Sequence, residues 1–271
     1  MMTTIQAIIL GMVQGLTEFL PVSSSGHLVL ANYHFGFNFG NGDSLPLYVD
    51  LATNTGTFFA ALLALRTDVW QALSGFLKGL TSASARQEDG WRMAILVIIG
   101  SIPTLLMALL LRPVFEHLNK PLFVSFTLII TGIIMWFTYK SGPKNNVAKL
   151  TWKDALIGGV AQGIAIVPGI SRSGSTIATM LWRGASAEVA AKFSFLMYLV
   201  ASFGAAVLSI LELRQEQIAL VPIVAMVVSS FVVGYVAIVW LFAILRRGQF
   251  KWFAPYLWIV AGITLIRLLV F

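Results

Sequence analysis

Apolar residues run through this chain in stretches long enough to cross a bilayer, and the places where polar residues interrupt them organise the rest. Six runs approach the roughly 20 residues that a spanning helix needs, at about 49–66, 91–111, 121–139, 188–211, 218–245 and 252–270. Two further stretches are apolar but broken. In 3–33 the breaks are Gln14, Thr17, Glu18, Pro21 and Ser23-Ser24-Ser25-Gly26; in 153–182 they are Gln162, Pro168-Gly169 and Ser171-Arg172-Ser173-Gly174. Pro and Gly stop helices, and bare backbone at membrane depth is tolerated only inside protein or beside water. Both stretches are therefore expected as re-entrant hairpins, each made of two half-helices meeting at a polar tip.

The broken stretches repeat one pattern. Gln14 to His27 reads Q-G-L-T-E-F-L-P-V-S-S-S-G-H, and Gln162 to Ser175 reads Q-G-I-A-I-V-P-G-I-S-R-S-G-S, an offset of 162 − 14 = 148 positions. Aligned without gaps, Thr3–Gly26 and Thr151–Gly174 match at nine of 24 positions, and the same offset pairs Gly56 with Gly204. Three spans lie between the copies, and an odd number inverts the second copy relative to the first. Inverted repeats built on interrupted helices place a site near the midplane, where the tips converge. The expected fold class is an all-α polytopic membrane protein, an inverted repeat with two re-entrant helical hairpins and about six spanning helices. It forms a single transmembrane domain over 1–271, with halves at about 1–140 and 141–271.

Composition supports that class. The chain is 58% hydrophobic and 11% charged, where a soluble domain carries about 25% charged residues. A net charge of +7 would admit nucleic acid as a partner, but the basic residues cluster at the ends of apolar runs, so none is expected. Thirteen of the 18 Lys and Arg fall on one side of this topology and four on the other, with Arg172 in no loop. The basic side is expected to be cytoplasmic, which puts both termini and the mouth of the first hairpin on the periplasmic or extracellular face. The Lys144-to-Lys153 cluster then faces anionic lipid. The first 65 residues hold no Lys or Arg, so 4–20 is not expected to be a cleaved leader. Without cysteine, disulfide and thiol chemistry are excluded.

Ionisable groups at membrane depth are costly and therefore usually functional. Gln14 and Glu18 share a helix face at i, i+4, and their oxygens could hold a hard divalent cation. A Mg2+-type ion takes one or two carboxylates and completes its shell with phosphate oxygens and water, so this lean donor set suits a phosphate substrate. The plainer alternative is that Glu18 packs against a basic partner, with Arg172 the candidate. Ser23-Ser24-Ser25-Gly26-His27 would open the second half-helix, where free amides attract anions. Ser24 and His27, at i, i+3, could form an activated hydroxyl; Ser23 and Ser25 could equally be helix caps. In the second tip Arg172 offers a planar fork for phosphate oxygens, flanked by Ser171, Ser173, Gly174 and Thr176; snorkelling to the interface is its alternative role. Asp50 and Asn54 share a face and either support the site or hydrate a span entrance. Glu188 and Lys192 read as an ordinary surface pair, and His34 and His117 as loop residues.

Two of these segments resemble a known family. E-F-L-P-V-S-S-S-G-H (Glu18–His27) and P-G-I-S-R-S-G-S-T (Pro168–Thr176) are similar to the signature motifs of the undecaprenyl-diphosphatase family, the bacitracin-resistance phosphatases. The resemblance spans essentially the whole chain and includes A-A-K-F-S-F-L at Ala190–Leu196. It implies an integral enzyme of the bacterial inner membrane that hydrolyses a C55 polyprenyl diphosphate to the monophosphate and inorganic phosphate, recycling the carrier for peptidoglycan. It also implies a divalent cation (Mg2+ or Ca2+), with Gln14 and Glu18 on its acidic motif, Ser24 on the nucleophile, His27 on the histidine and Arg172 on the arginine. Gln14 is an uncharged variant of the first acidic position.

On this reading Ser24 attacks the terminal phosphorus with His27 as base; His27 attacking directly, or activating water, is a close variant. Glu18 and Gln14 hold the cation, and Arg172, Ser23, Ser25, Gly26, Ser171, Ser173, Gly174 and Thr176 bind phosphate. The partners are the polyprenyl diphosphate and membrane lipid, with a homodimer as an option. The rival reading is a transporter of polyprenyl phosphate or a small anion, a class that inverted repeats also build.

Overall fold

A computed structural model of the protein describes residues 2–37, 46–116, 118–138, 150–212 and 219–270. His117 and the part of the basic cluster before Leu150 lie outside them. The described residues are helical throughout, with short turns between helices.

Each broken stretch forms a helix–turn–helix unit. The first is α1 (Thr4–Phe19) and α2 (Ser24–Phe35); the second, after four intervening helices, is α7 (Trp152–Ile164) and α8 (Arg172–Trp182). The starts are written alike. At Thr3 the hydroxyl accepts from the Gln6 amide while the Gln6 side chain accepts from the Thr3 amide, and Thr151 and Asp154 repeat that box. Ser23 and Ser171 cap α2 and α8, accepting from the amides of Gly26 and Gly174. Pro21 and Pro168 close off the preceding helices. The arms have 16, 12, 13 and 11 residues, or about 17–24 Å at 1.5 Å per residue. None is long enough alone to cross a hydrocarbon core of about 30 Å.

Between and after these units lie α3 (Leu47–Ala64), α4 (Arg66–Thr81), α5 (Asp89–Glu116), α6 (Pro121–Thr138), α9 (Ala187–Glu212), α10 (Leu220–Arg246) and α11 (Phe253–Val270). Five segments, Asp89–Leu111, Pro121–Thr138, Ala187–Leu211, Leu220–Arg246 and Phe250–Val270, are long and apolar enough to cross a membrane. The chain is a multi-pass membrane protein. The sixth expected span forms as α3 but falls outside that set, because Asp50, Thr53, Asn54, Thr55 and Thr57 make it too polar. Of these, Thr53 and Thr57 are buried, and Asp50, Asn54 and Thr55 border the same cavity as Glu18.

Helix α4 carries a helical rather than a membrane-length pattern and was not expected. Its Asp68 reaches Lys192 of α9 at 2.8 Å, so Lys192 bridges Asp68 and Glu188 rather than forming only the i, i+4 pair. His34 is likewise no loop residue; it ends α2, bonded to Thr264 and Arg267 of α11.

Helix α1 packs on α10, which also packs on α3; α7 packs on α5, and α6 on α11. Helices α8 and α9 close the middle, with Phe19 edge-on to Phe195 and Tyr198 at 5.5 and 5.4 Å. This arrangement drives the two tips together. Gly26 and Gly169 meet so closely that a Cβ on Gly26 would lie 3.0 Å from the Gly169 Cα. Gly169 also has φ +88°, which favours glycine.

The exposed backbone of the tips is satisfied by side chains. Thr127 donates to the Pro168 carbonyl at 2.6 Å, and Thr131 donates to the Gly169 carbonyl at 2.8 Å while accepting from the Ser171 amide. Ser173 donates across to the Leu20 carbonyl, tying one tip to the other. Arg183 and Asp154 close the base of the second unit at 2.6 Å.

Thr131→Val keeps the shape but orphans two buried backbone groups. It should lower stability by about 1–3 kcal/mol, read as a reduced Tm in detergent. Thr138→Val, whose hydroxyl bonds only its own helix at Ile134, should change Tm little.

Candidate active site

Where the tips meet, Glu18 is the hub. It lies at the end of α1 and is 7% exposed. Its Oε1 accepts from Arg172 Nη2 at 2.7 Å. Its Oε2 accepts from Ser24 Oγ at 2.5 Å and from Gln14 Nε2 at 2.8 Å. Ser24 and Arg172 are the first residues of α2 and α8, so both side chains leave from the positive ends of half-helices. Gln14 Nε2 also donates to Asn54 Oδ1 at 3.2 Å, and Asn54 Nδ2 donates to Asp50 Oδ1 at 2.9 Å. A continuous polar chain thus runs from Arg172 through Glu18, Gln14 and Asn54 to Asp50.

Arg172 is held from its other side by Tyr198, over whose ring the guanidinium carbon sits at 5.0 Å. Tyr198 donates to Thr57 at 3.0 Å. Because only one guanidinium nitrogen is engaged by Glu18, and the side chain is 31% exposed, donors remain for an incoming anion. Ser23 adopts φ +70°, an unfavourable backbone for a residue with a Cβ, at the turn that presents Ser24.

The Glu18 hub opens on a cavity of about 520 Å³, within the size range of small-molecule sites. Gln14, Glu18, Ser23, Ser24, Ser25, Asp50, Asn54, Ser171 and Arg172 all border it, and its apolar lining comes mainly from Phe58 and Phe59 of α3, Ile166 and Ile170 of the turn before α8, and Ala201, Phe203, Ala205 and Ala206 of α9. The expected acid, hydroxyl and guanidinium are therefore assembled in one place, and Asp50 and Asn54 belong to the wall itself rather than to a support behind it.

Four expected phosphate ligands do something else. The amides of Gly26 and Gly174 are taken by the capping hydroxyls of Ser23 and Ser171, Ser173 bonds the Leu20 carbonyl, and Thr176 is fully buried with its hydroxyl on the Arg172 carbonyl. The expected contact between Ser24 and His27 is not made. His27 Nδ1 lies 2.8 Å from the Ser23 carbonyl, and Nε2 lies 2.8 Å from the Tyr256 hydroxyl, with the two rings stacked. The i, i+3 spacing allowed the pair, but the imidazole turned back to its own i−4 carbonyl and to α11. The neighbour that accepts from Ser24 is Glu18.

A divalent cation fits this donor set in one limited way. Among the described residues there is no group of three or more His, Cys, Asp or Glu able to hold a metal. The atoms with the right chemistry are the hard carboxylate oxygens of Glu18 and Asp50 and the side-chain carbonyl of Gln14, whose amide nitrogen serves Glu18 and Asn54. Such a set suits an ion that completes its shell with phosphate oxygens and water. Tyr198 and Gln162 also belong to the site and were not assigned to it from sequence. Nothing in the motif pattern marks Tyr198, whereas Gln162 was already visible as the repeat partner of Gln14.

Comparison with known proteins covers nearly the whole chain. A family model described as bacitracin resistance protein BacA matches residues 7–263. The undecaprenyl-diphosphatase of Acaryochloris marina (strain MBIC 11017) is 66% identical over 266 residues, covering 98% of each chain. The undecaprenyl-diphosphatase of Desulfatibacillum aliphaticivorans is 39% identical over 278 residues, covering 97% of this chain and 98% of the relative. That of Carboxydothermus hydrogenoformans (strain ATCC BAA-161 / DSM 6008 / Z-2901) is also 39% identical, over 277 residues and 98% of each chain.

The Glu18–Arg172 contact can be isolated by a double-mutant cycle. Glu18→Gln and Arg172→Gln should each destabilise the protein, and the double variant should recover part of the loss, with a coupling of about 1–3 kcal/mol. Thermal unfolding of the four proteins measures it; strict additivity would place the two side chains apart.

Proposed function

The chain belongs to the bacitracin resistance protein family, and we propose that its cavity is the active site of an undecaprenyl-diphosphatase. It is a membrane hydrolase that converts undecaprenyl diphosphate to undecaprenyl phosphate and inorganic phosphate, recycling the lipid carrier for cell-wall synthesis. The observation that carries the assignment of the site is the hub at Glu18, which brings a serine from one tip and an arginine from the other to a single carboxylate.

Ser24 Oγ attacks the terminal phosphorus, the bond from that phosphorus to the bridging oxygen breaks, and undecaprenyl phosphate leaves. Glu18 Oε2 receives the serine proton. Phosphoryl transfer passes through a loose transition state that needs positioning and charge stabilisation more than a strong base. Arg172 supplies that charge through the nitrogens Glu18 does not use. Water then attacks that phosphorus, the bond from phosphorus to Ser24 Oγ breaks, Glu18 returns its proton to Oγ, and inorganic phosphate leaves with the proton of the water. Glu18, Asp50 and Gln14 would hold the divalent cation, which when bound supplies charge neutralisation to the phosphate oxygens.

His27 serves a different purpose in this reading: with Tyr256 it fixes the start of α2 and hence Ser24. To act as base on Ser24 it would have to leave both of its partners.

The two helix–turn–helix units are inverted re-entrant repeats, supported by their short arms and matching caps. The excess of basic residues in one set of loops supports an active-site mouth on the periplasmic or extracellular face of the bacterial cell membrane. The polar chain lies at the interface of the two tips, as midplane sites in such repeats do.

Purified protein in detergent should release phosphate from undecaprenyl diphosphate in a chelator-sensitive manner, with no membrane to cross. Ser24→Ala, Glu18→Gln and Arg172→Ala should each lower kcat/KM by about 10²–10³-fold. A phosphate burst that survives in Ser24→Ala would remove the serine as nucleophile. Absence of any release from the wild type would favour the transporter reading.

A further inference from the structure

Gln162 is 1% exposed, and neither atom of its amide has a hydrogen-bond partner in the protein. Leaving a buried donor and acceptor unbonded is destabilising, and native structures avoid it unless a ligand or water completes the site. Among the described residues only Gln162 and Ser175 carry such atoms, and of the two only Gln162 borders the cavity of Glu18 and Arg172.

The repeat explains how the amide came to be unpartnered. Gln162 corresponds to Gln14, whose amide is engaged by Glu18 and Asn54. At the same offset of 148 the second copy has Ile166 where the first has Glu18, and Ser202 where it has Asn54. The second copy keeps the amide and lacks the carboxylate and carbonyl it would bond. Residues that line the cavity with it do not replace them: the Thr104 hydroxyl is bonded to the Gly100 and Gly159 carbonyls, and Ala108 and Ala165 are apolar.

We propose that Gln162 binds the prenyl-linked phosphate of the substrate, donating from Nε2 to one of its oxygens. The inference rests on the phosphatase reading and extends it. With the terminal phosphate at Ser24 and Arg172, the second phosphate extends along the cavity toward its apolar wall, where the tail must run. Among the described residues on that wall, Gln162 is the buried side chain whose donor and acceptor both lack a partner. A neutral amide suits the position. It recognises a phosphate oxygen without the strong charge attraction that a second arginine would exert on the departing monophosphate. Its own oxygen can accept from the phosphate when that group is protonated.

The test compares full-length wild type with Gln162→Leu in detergent. The Leu variant should unfold at or above the wild-type Tm, since it removes an unbonded polar group. Its KM for undecaprenyl diphosphate should rise about tenfold, the loss of one charge-assisted hydrogen bond. Inhibition by undecaprenyl monophosphate should weaken by a similar factor, while inhibition by inorganic phosphate, which sits at Ser24 and Arg172, should not change.

Unchanged KM and unchanged monophosphate inhibition would overturn the proposal and leave Gln162 with a bound water only. Equal weakening of both inhibitors would overturn it too, as the mark of a general disturbance. Should Gln162→Leu fail to fold, Gln162→Met takes its place, and failure of both would show a structural role instead. If the wild type releases no phosphate, the phosphatase reading fails first. Thermal stabilisation by undecaprenyl monophosphate, larger in wild type than in the variant, would still support the Gln162 contact, and equal or absent stabilisation would reject it.

Discussion

A carboxylate withdrawn from water must find positive charge and hydrogen-bond donors; Glu18 has donors close by in Ser24 and Gln14, but it finds positive charge only because a second segment, 154 residues away in sequence, reaches the same point. Removing one partner of a buried ion pair is far more damaging than never having had the pair. Much of the architecture follows from that constraint. Helix α1 has to stop where its last turn faces α8, the tips have to be narrow enough for Gly26 to meet Gly169, and the arms have to be short.

Stopping four helices inside the molecule creates a second demand, because their ends expose carbonyls and amides with no water to bond. Two devices meet it. Hydroxyls within the tips cap the following helices at Ser23 and Ser171, and hydroxyls on a neighbouring helix, Thr127 and Thr131, reach across to the turn backbone. The threonines on α6 therefore work for the site without lining the cavity. Several residues with the chemistry to bind phosphate are engaged in this way, among them Ser173 and Thr176. Residue type at a tip does not by itself distinguish a ligand from a cap.

That distinction also marks how far the sequence could be read. Interrupted apolar runs and an offset repeat were enough to locate both helix–turn–helix units, and the rarity of charge at depth singled out Glu18 and Arg172. Spacing on one helix correctly joined Gln14 to Glu18 and Asp50 to Asn54. It failed for Ser24 and His27, because i, i+3 permits a contact but does not exclude a competing carbonyl one turn back or a tyrosine on α11. Partners remote in the chain, such as Tyr198 beneath Arg172 and Thr131 at the Gly169 carbonyl, carry no local signature. Helix α4 was missed because its apolar residues recur at helical spacing among charges, below the length and hydropathy that announce a span.

The repeat also accounts for how two similar segments form a site that is not symmetrical. At the offset of 148, Ser24 corresponds to Arg172, Glu18 to Ile166, and His27 to Ser175. Both tips present the first residue of a capped half-helix toward the same point, so the scaffold supplies two equivalent positions with favourable dipoles. One position carries a small hydroxyl able to attack and the other a long cation able to hold what is attacked. Two serines there would leave the phosphate charge unmatched, and two arginines would leave no nucleophile and would repel each other. The carboxylate exists in one copy only, and it bonds both first residues at once. The reaction proposed for this site uses a hydroxyl to attack phosphorus and a guanidinium to balance the charge on its oxygens. A duplicated turn with divergent first residues provides that arrangement while each copy keeps the caps and glycines that hold it in shape.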